Sequence, residues 1–215
     1  MNAPDQQEIA WPGPQGDLRI RSFCTPEEIR TYIFDSQFGK HAHYKSLYTK
    51  RESLEREAEQ EDTNVTLALE EDSHIVGFAV LGYPDPDERW VKVGRHVMME
   101  VKALEVSRDR RSTGAAKGLV QMLLAHPLIE QKIAYFVGYS WTWDLDWSKK
   151  TAQEYRNMLI KLFEPYGFQE YQTNEPNLCL KPENVLMARV GGDVSKEVRD
   201  RFKWVRFGVY PPTGE

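Results

Sequence analysis

Along the chain, short alternating or wholly apolar runs are followed by segments whose apolar positions recur every three or four residues. LRIRSF (18–23) alternates apolar and polar, as a half-buried strand does. Thr25-Pro26-Glu27-Glu28 carries a capping residue, a proline and a glutamate at the spacing that opens a helix. TKRESLEREAEQED (49–62) reads as a charged, exposed helix with few apolar anchors. VTLALEE and HIVGFAVLGY read as paired strands turning at Asp72-Ser73, and the proline-punctuated YPDPDERW (83–90) as a loop. HVMMEVKALEVS (96–107) then predicts a long strand, GAAKGLVQMLLAH (114–126) a helix and KIAYFVGY (132–139) another strand. After the loop SWTWDLDW, residues 149–163 have helical period and Pro165 and Gly167 end it. FQEYQT (168–173) and NVLMARV (184–190) read as strands, and SKEVRDRFKWVRF (195–207) as a last helix capped by Ser195.

Strands alternating with helices, without an internal repeat or an interdomain linker, predict a mixed α/β domain. Residues 18–191 form that domain. Residues 1–17, rich in Pro, Gly and Gln, are expected to be poorly ordered, and 192–215 to be a helix and tail packed on the domain.

Composition narrows the function. A chain of 215 residues buries a core without covalent staples. The formal net charge of -5 argues against nucleic acid as the partner. No apolar run approaches the ~20 residues of a membrane span, and the N-terminus has no basic region followed by an apolar core. The expectation is a cytoplasmic protein that binds neither membrane nor nucleic acid. Cys24 and Cys179 have no metal or redox spacing. His41 and His43 form H-x-H without an evident third ligand, so no metal is expected.

Against that acidic background, Arg108, Arg110 and Arg111 stand just before a run of small residues, where the long strand should pass into a helix. Free backbone N–H groups and the helix dipole make such a turn an anion site. An ordinary turn with solvated arginines is the plainer alternative. Neither G-x-x-x-x-G-K-[ST] nor G-x-G-x-x-G after a strand is present. The turn reads Arg111-Ser112-Thr113-Gly114-Ala115-Ala116, with Val106 at the strand's end.

This [Q/R]-x-x-G-x-[G/A] turn resembles the acyl-CoA pyrophosphate loop of the GNAT (Gcn5-related) N-acetyltransferases. Phe163-Glu164-Pro165-Tyr166-Gly167-Phe168 resembles the point where a helix of that family ends before a strand. The resemblance implies a GNAT fold with a splayed central sheet, to which this chain adds its C-terminal helix. It implies acetyl-CoA as donor, held by residues 112–116 and Arg111. Gly114 and Ala116 would let the backbone approach the pyrophosphate, and the arginines would attract the ribose phosphate. YPDP with ERW, ALEV, SWTWDL, EYR and LMARVG, in order from Tyr83 to Gly191, resemble one branch of the family, whose members act in acetate and acetoin metabolism. That closer resemblance implies a protein-lysine acetyltransferase whose target is acetyl-CoA synthetase, switched off when its active-site lysine is acetylated.

Acetyl transfer to lysine needs a base, because the unperturbed amine has a pKa near 10.4. Glu100, eleven positions before Arg111, resembles the catalytic glutamate of histone-type members. Glu105 lies on the opposite strand face under strict alternation and is the second candidate. A backbone N–H near Leu104 to Val106 would face the developing oxyanion. Many members use a tyrosine to protonate the leaving thiolate, but Phe163 stands at the usual position here; Tyr155 and Tyr166 are substitutes, and a thiolate can also leave without an acid. Trp141, Trp143 and Trp147 with Asp144 and Asp146 suggest a surface that docks the protein substrate, with Trp141 the ring most apt to be core. Two alternatives stay open: a small-amine acetyltransferase, and a module that holds CoA and a partner without transfer.

Overall fold

A computed structural model describes residues 6–14, 16–40 and 48–210. His41 and His43 lie outside the described residues. In chain order the elements are β1 (Glu8–Trp11), β2 (Leu18–Arg21), α1 (Pro26–Thr31), β3 (Ile33–Phe34), α2 (Gln37–Lys40), α3 (Arg51–Ala58), β4 (Asn64–Glu70), β5 (His74–Gly82), β6 (Met98–Val106), α4 (Ala115–Leu123), β7 (Ile133–Gly138), α5 (Leu145–Ser148), α6 (Ala152–Phe163), β8 (Gln169–Glu170), α7 (Pro176–Cys179), β9 (Val185–Val190) and α8 (Lys196–Val205). The chain divides into two units. The first holds residues up to Gly82, Val101–Pro127 and Asp146–Ser148; the second holds Tyr83–Glu100, Leu128–Leu145 and the chain from Lys149 on.

In the first unit β1, β2, β4 and β5 pair antiparallel in that order, and β3 pairs parallel with β5. β6 follows β5 in the sheet. One face is filled by Ile29, Leu54, Leu67, Phe78 and Ala103, with α1 and α3 supplying the cover. The helix α1 starts as its sequence dictates: Thr25 accepts from the Glu28 N–H, and the Glu28 side chain accepts from the Thr25 N–H. The other face carries α4, whose Leu119, Val120 and Leu123 are fully buried. The buried Asn64 amide donates to the Met122 and Leu123 carbonyls at 3.2 and 3.0 Å, which satisfies two acceptors that the end of α4 leaves open.

In the second unit Met98–Glu100 of β6 pair parallel with β7, β7 pairs antiparallel with β9, and β8 adds antiparallel to β9. Parallel and antiparallel pairs occur together, as expected of a mixed sheet. Trp90, Tyr135, Leu186, Phe202 and Val205 share one core, so α8 buries its apolar stripe in this unit. Ser195 caps α8 by accepting from the Val198 N–H.

Three local expectations change. Glu8–Trp11, inside the segment expected to lack order, forms β1; Arg21 pairs with Glu8 at 2.6 Å across the antiparallel register. The strand expected over 168–173 shrinks to Gln169–Glu170, because the chain then turns to the end of α8, where Thr173 Oγ1 donates to the Arg206 carbonyl at 2.6 Å. The tryptophan loop contains a 3-10 turn at Ser140–Thr142 and the short helix α5. Among the described residues, no helix is long and apolar enough to cross a membrane.

Candidate active site

In the first unit β6 ends at Val106, and the Ser107 N–H donates to the Val76 carbonyl at 2.8 Å, which fixes the strand end on β5. A 3-10 turn spans Arg108–Arg110. The Arg108 N–H donates to Gln37 Oε1 at 2.9 Å, and Thr113 Oγ1 donates to the Arg110 carbonyl at 2.7 Å. Ser112 takes φ 64° and Gly114 φ 87°, two left-handed residues within three positions. The first is uncommon for a residue with a Cβ; the second is where glycine is favoured. Gly114 is also the N-cap of α4. Among the described residues, none accepts a hydrogen bond from the N–H groups of Ser112, Thr113, Gly114, Ala115 and Ala116. Five successive donors at the start of a nine-residue helix are the chemistry that a pyrophosphate requires.

The arginines behave differently from the expectation that all three serve a phosphate. Arg110 pairs with Glu70. Arg111 Nε donates to the Val106 carbonyl at 3.0 Å, and its guanidinium lies 4.9 Å over the Trp147 ring. Both tie the loop to its own unit, since a guanidinium bonded to the strand end and laid on an aromatic face holds the turn's shape.

The carboxylates separate along β6. Val101, Ala103 and Glu105 are buried on one side of the strand; Glu100, Lys102 and Leu104 alternate with them and are half-buried. Glu105 is 6% exposed. In the second unit Glu100 is the register partner of Tyr135, so the two side chains share a sheet face. Tyr135 is fully buried and its hydroxyl donates to Glu88 Oε2 at 3.1 Å. Burial, with the charges of Glu100 and Glu88, holds the Tyr135 phenol well above its ordinary pKa. Tyr139 is pushed up to about 12, by burial first and then by Glu175, Glu88 and Glu100. Glu88 is a neighbour that the sequence reading missed. ERW stands out as a string in the sequence, but nothing local brings it to β7.

The remaining residues redistribute roles. Phe163, at the position where the family resemblance led to the expectation of a tyrosine, is buried against Phe136 and Phe168. Tyr155 stacks on Trp143 at 5.2 Å. The tryptophans reverse the expectation: Trp141 is 54% exposed, whereas Trp143 is buried and Asp144 is 1% exposed. Trp143 and Asp144, expected to belong to a docking face, are therefore buried rather than presented at the surface. Trp141 stacks on Tyr139 at 4.6 Å, with Lys181 5.4 Å over its ring. Among the described residues, no group of three His, Cys, Asp or Glu is placed to hold a metal.

The acetyltransferase (GNAT) family model matches residues 30–136, which include β6, the donor loop and α4. The chain is 30% identical over 193 residues to the acetoin utilization protein AcuA of Bacillus licheniformis, covering 90% of each. It is 31% identical over 192 residues to AcuA of Bacillus subtilis, covering 89% of this chain and 90% of that one. The crystal structure of an acetoin utilization protein from Exiguobacterium sibiricum superposes with a TM-score of 0.88 at 25% identity, over 97% of both chains. The chain therefore belongs to the GNAT acetyltransferase family, and it is an acyltransferase. Its likeness to acetoin utilization proteins of the AcuA type extends over nearly its whole length.

Proposed function

We propose that the protein is an acetyl-CoA-dependent protein-lysine N-acetyltransferase of the cytoplasm that acetylates and inactivates acetyl-CoA synthetase in acetoin and acetate metabolism. The observation that carries this reading is the run of five N–H donors from Ser112 to Ala116 in a chain whose relatives are acetoin utilization proteins. The donors fit the pyrophosphate of a CoA thioester, and the thioester supplies an activated acetyl group. Residues 112–116, with Arg111 shaping the turn, bind and orient the donor. Glu100 takes the proton from the attacking amine, directly or through water. A backbone N–H between Leu104 and Val106 faces the developing oxyanion, a donor that costs no reorganisation. Glu105, buried on the other side of β6, is left to a supporting role. The thiolate leaves unaided or takes a proton from Tyr155, since a free thiol has a pKa of only about 8.5. Trp141 docks the protein substrate, because it is more exposed than Trp143 and Trp147 of the same loop and amphipathic rings anchor interfaces.

Competition between acceptors tests the reading. The protein is offered acetyl-CoA together with acetyl-CoA synthetase and a mixture of small primary amines. Acetyl groups should pass to the synthetase. Transfer to the amines alone would identify a small-amine enzyme instead, and CoA binding without any transfer would identify a binding module.

A further inference from the structure

Trp11 lies on β1, in the same unit as the donor loop, and its indole runs along the first turn of α4. A Cβ on Gly114 would come within 3.2 Å of Trp11 Nε1, and one on Gly118 within 2.9 Å of Trp11 Cδ2 and Cε3. Gly114 and Gly118 are four residues apart and share a helix face. The Nε1–Cε2–Cζ2 edge of the indole therefore faces Gly114, and the opposite Cδ2–Cε3 edge faces Gly118 one turn further on. A glycine inside a helix is unfavourable, so Gly118 calls for a packing reason, and the indole with Ile20 supplies it. The chain beyond β1 stays close to the loop: a Cβ on Gly13 would lie 3.9 Å from Thr113 Cβ.

Among the described residues no acceptor takes a hydrogen bond from Trp11 Nε1. Indole Nε1–H is a donor only. It stands at Gly114, in the middle of the run of N–H groups from Ser112 to Ala116. We propose that the Trp11 indole N–H is a further donor to the pyrophosphate of the CoA thioester, supplied to the loop by the N-terminal strand. The inference rests on the reading that this loop holds CoA. Two arginines beside the loop are engaged, Arg110 with Glu70 and Arg111 with the Val106 carbonyl. A neutral donor held against the helix adds a directed hydrogen bond where those side chains are committed. Donation to an ionised oxygen is the stronger kind.

Calorimetric titration of CoA and of dephospho-CoA, which keeps the pyrophosphate and lacks the ribose phosphate, tests this on the full chain and on Trp11→Phe. Phenylalanine keeps the apolar cover of Gly114 and Gly118 and removes the N–H. Affinity for both ligands should fall by about tenfold or more, the worth of a hydrogen bond to a charged group. Undiminished affinity in Trp11→Phe would overturn the proposal. So would a loss confined to CoA, which would assign the N–H to the ribose phosphate. Should Trp11→Phe fail to fold, the wild type decides: the Trp11 indole N–H resonance, assigned by its contacts to Gly114 and Gly118, should move downfield on saturation with CoA. An unmoved resonance would overturn the proposal. A wild type that binds neither ligand would bring down the CoA reading itself, and this inference with it.

Discussion

Gly118 illustrates how little room the start of α4 has: a Cβ there would stand 2.3 Å from Ile20 Cδ1 and 2.9 Å from the Trp11 ring. Gly118→Ala should cost about 1–3 kcal/mol through overpacking, read as a lower melting temperature. Gly114→Asp adds bulk and negative charge at a residue with φ 87°, and CoA affinity by calorimetry should fall by a kcal/mol or more. Glu100→Gln keeps the shape and removes the basicity. Its kcat should drop by roughly 10²–10⁴-fold with CoA affinity retained. If Glu100→Gln turns over normally and Glu105→Gln is dead, the base is Glu105. The tryptophans divide by burial. Trp143→Ala should lose about 3–5 kcal/mol of stability, as buried aromatic truncations do. Trp141→Ala should keep its melting temperature and lose about 2 kcal/mol of affinity for the protein substrate. That division was not legible in the sequence. Three rings in an irregular loop have no period to assign faces, and Trp143 is buried by residues outside the loop, among them Tyr155, twelve positions away.

At the scale of elements, the strand–loop–helix from Met98 to Leu123 was legible because each part announces itself locally. The strand is apolar, the loop is small and basic, and α4 has a clear apolar stripe over Leu119, Val120 and Leu123. β1 was not legible: four residues between proline-rich stretches carry too short an alternation, and their order comes from pairing with β2. The tie between β7 and Glu88 was equally hidden, since it is made by one phenol across 47 residues. Burial of that phenol first, and then the charges of Glu100 and Glu88, give a pH dependence. The folded protein holds the Tyr135 proton more tightly than the unfolded chain does, and Tyr139 follows up to about 12. A raised phenol pKa contributes stability that is intact below the ordinary value of 10.0 and is lost as pH rises beyond it. Urea unfolding should therefore show wild-type stability falling above about pH 10. Tyr135→Phe should start lower, having lost the bond to Glu88, and fall less steeply. An equally steep fall would place the alkaline sensitivity elsewhere. On α6, Thr151 accepts from the Glu154 N–H, and Thr151→Ala should cost about 1 kcal/mol in the same measurement.

For the whole molecule, β6 is a strand that carries residues of both units. Its Glu100 ends a stretch of one unit, and Val101 to the donor loop belongs to the other. Proton acceptance and CoA binding are assigned to different residues of that strand and the loop after it, so an assay that reads one does not read the other. The claim is that acetyl groups move from CoA to a lysine on acetyl-CoA synthetase. The most direct measurement incubates the protein with isotopically labelled acetyl-CoA and acetyl-CoA synthetase, maps the label by mass spectrometry, and follows synthetase activity in the same tubes. Label is expected on an active-site lysine, with activity falling in step with it, and neither change with Glu100→Gln. Unlabelled synthetase of undiminished activity, beside a wild-type protein that binds acetyl-CoA, would contradict it.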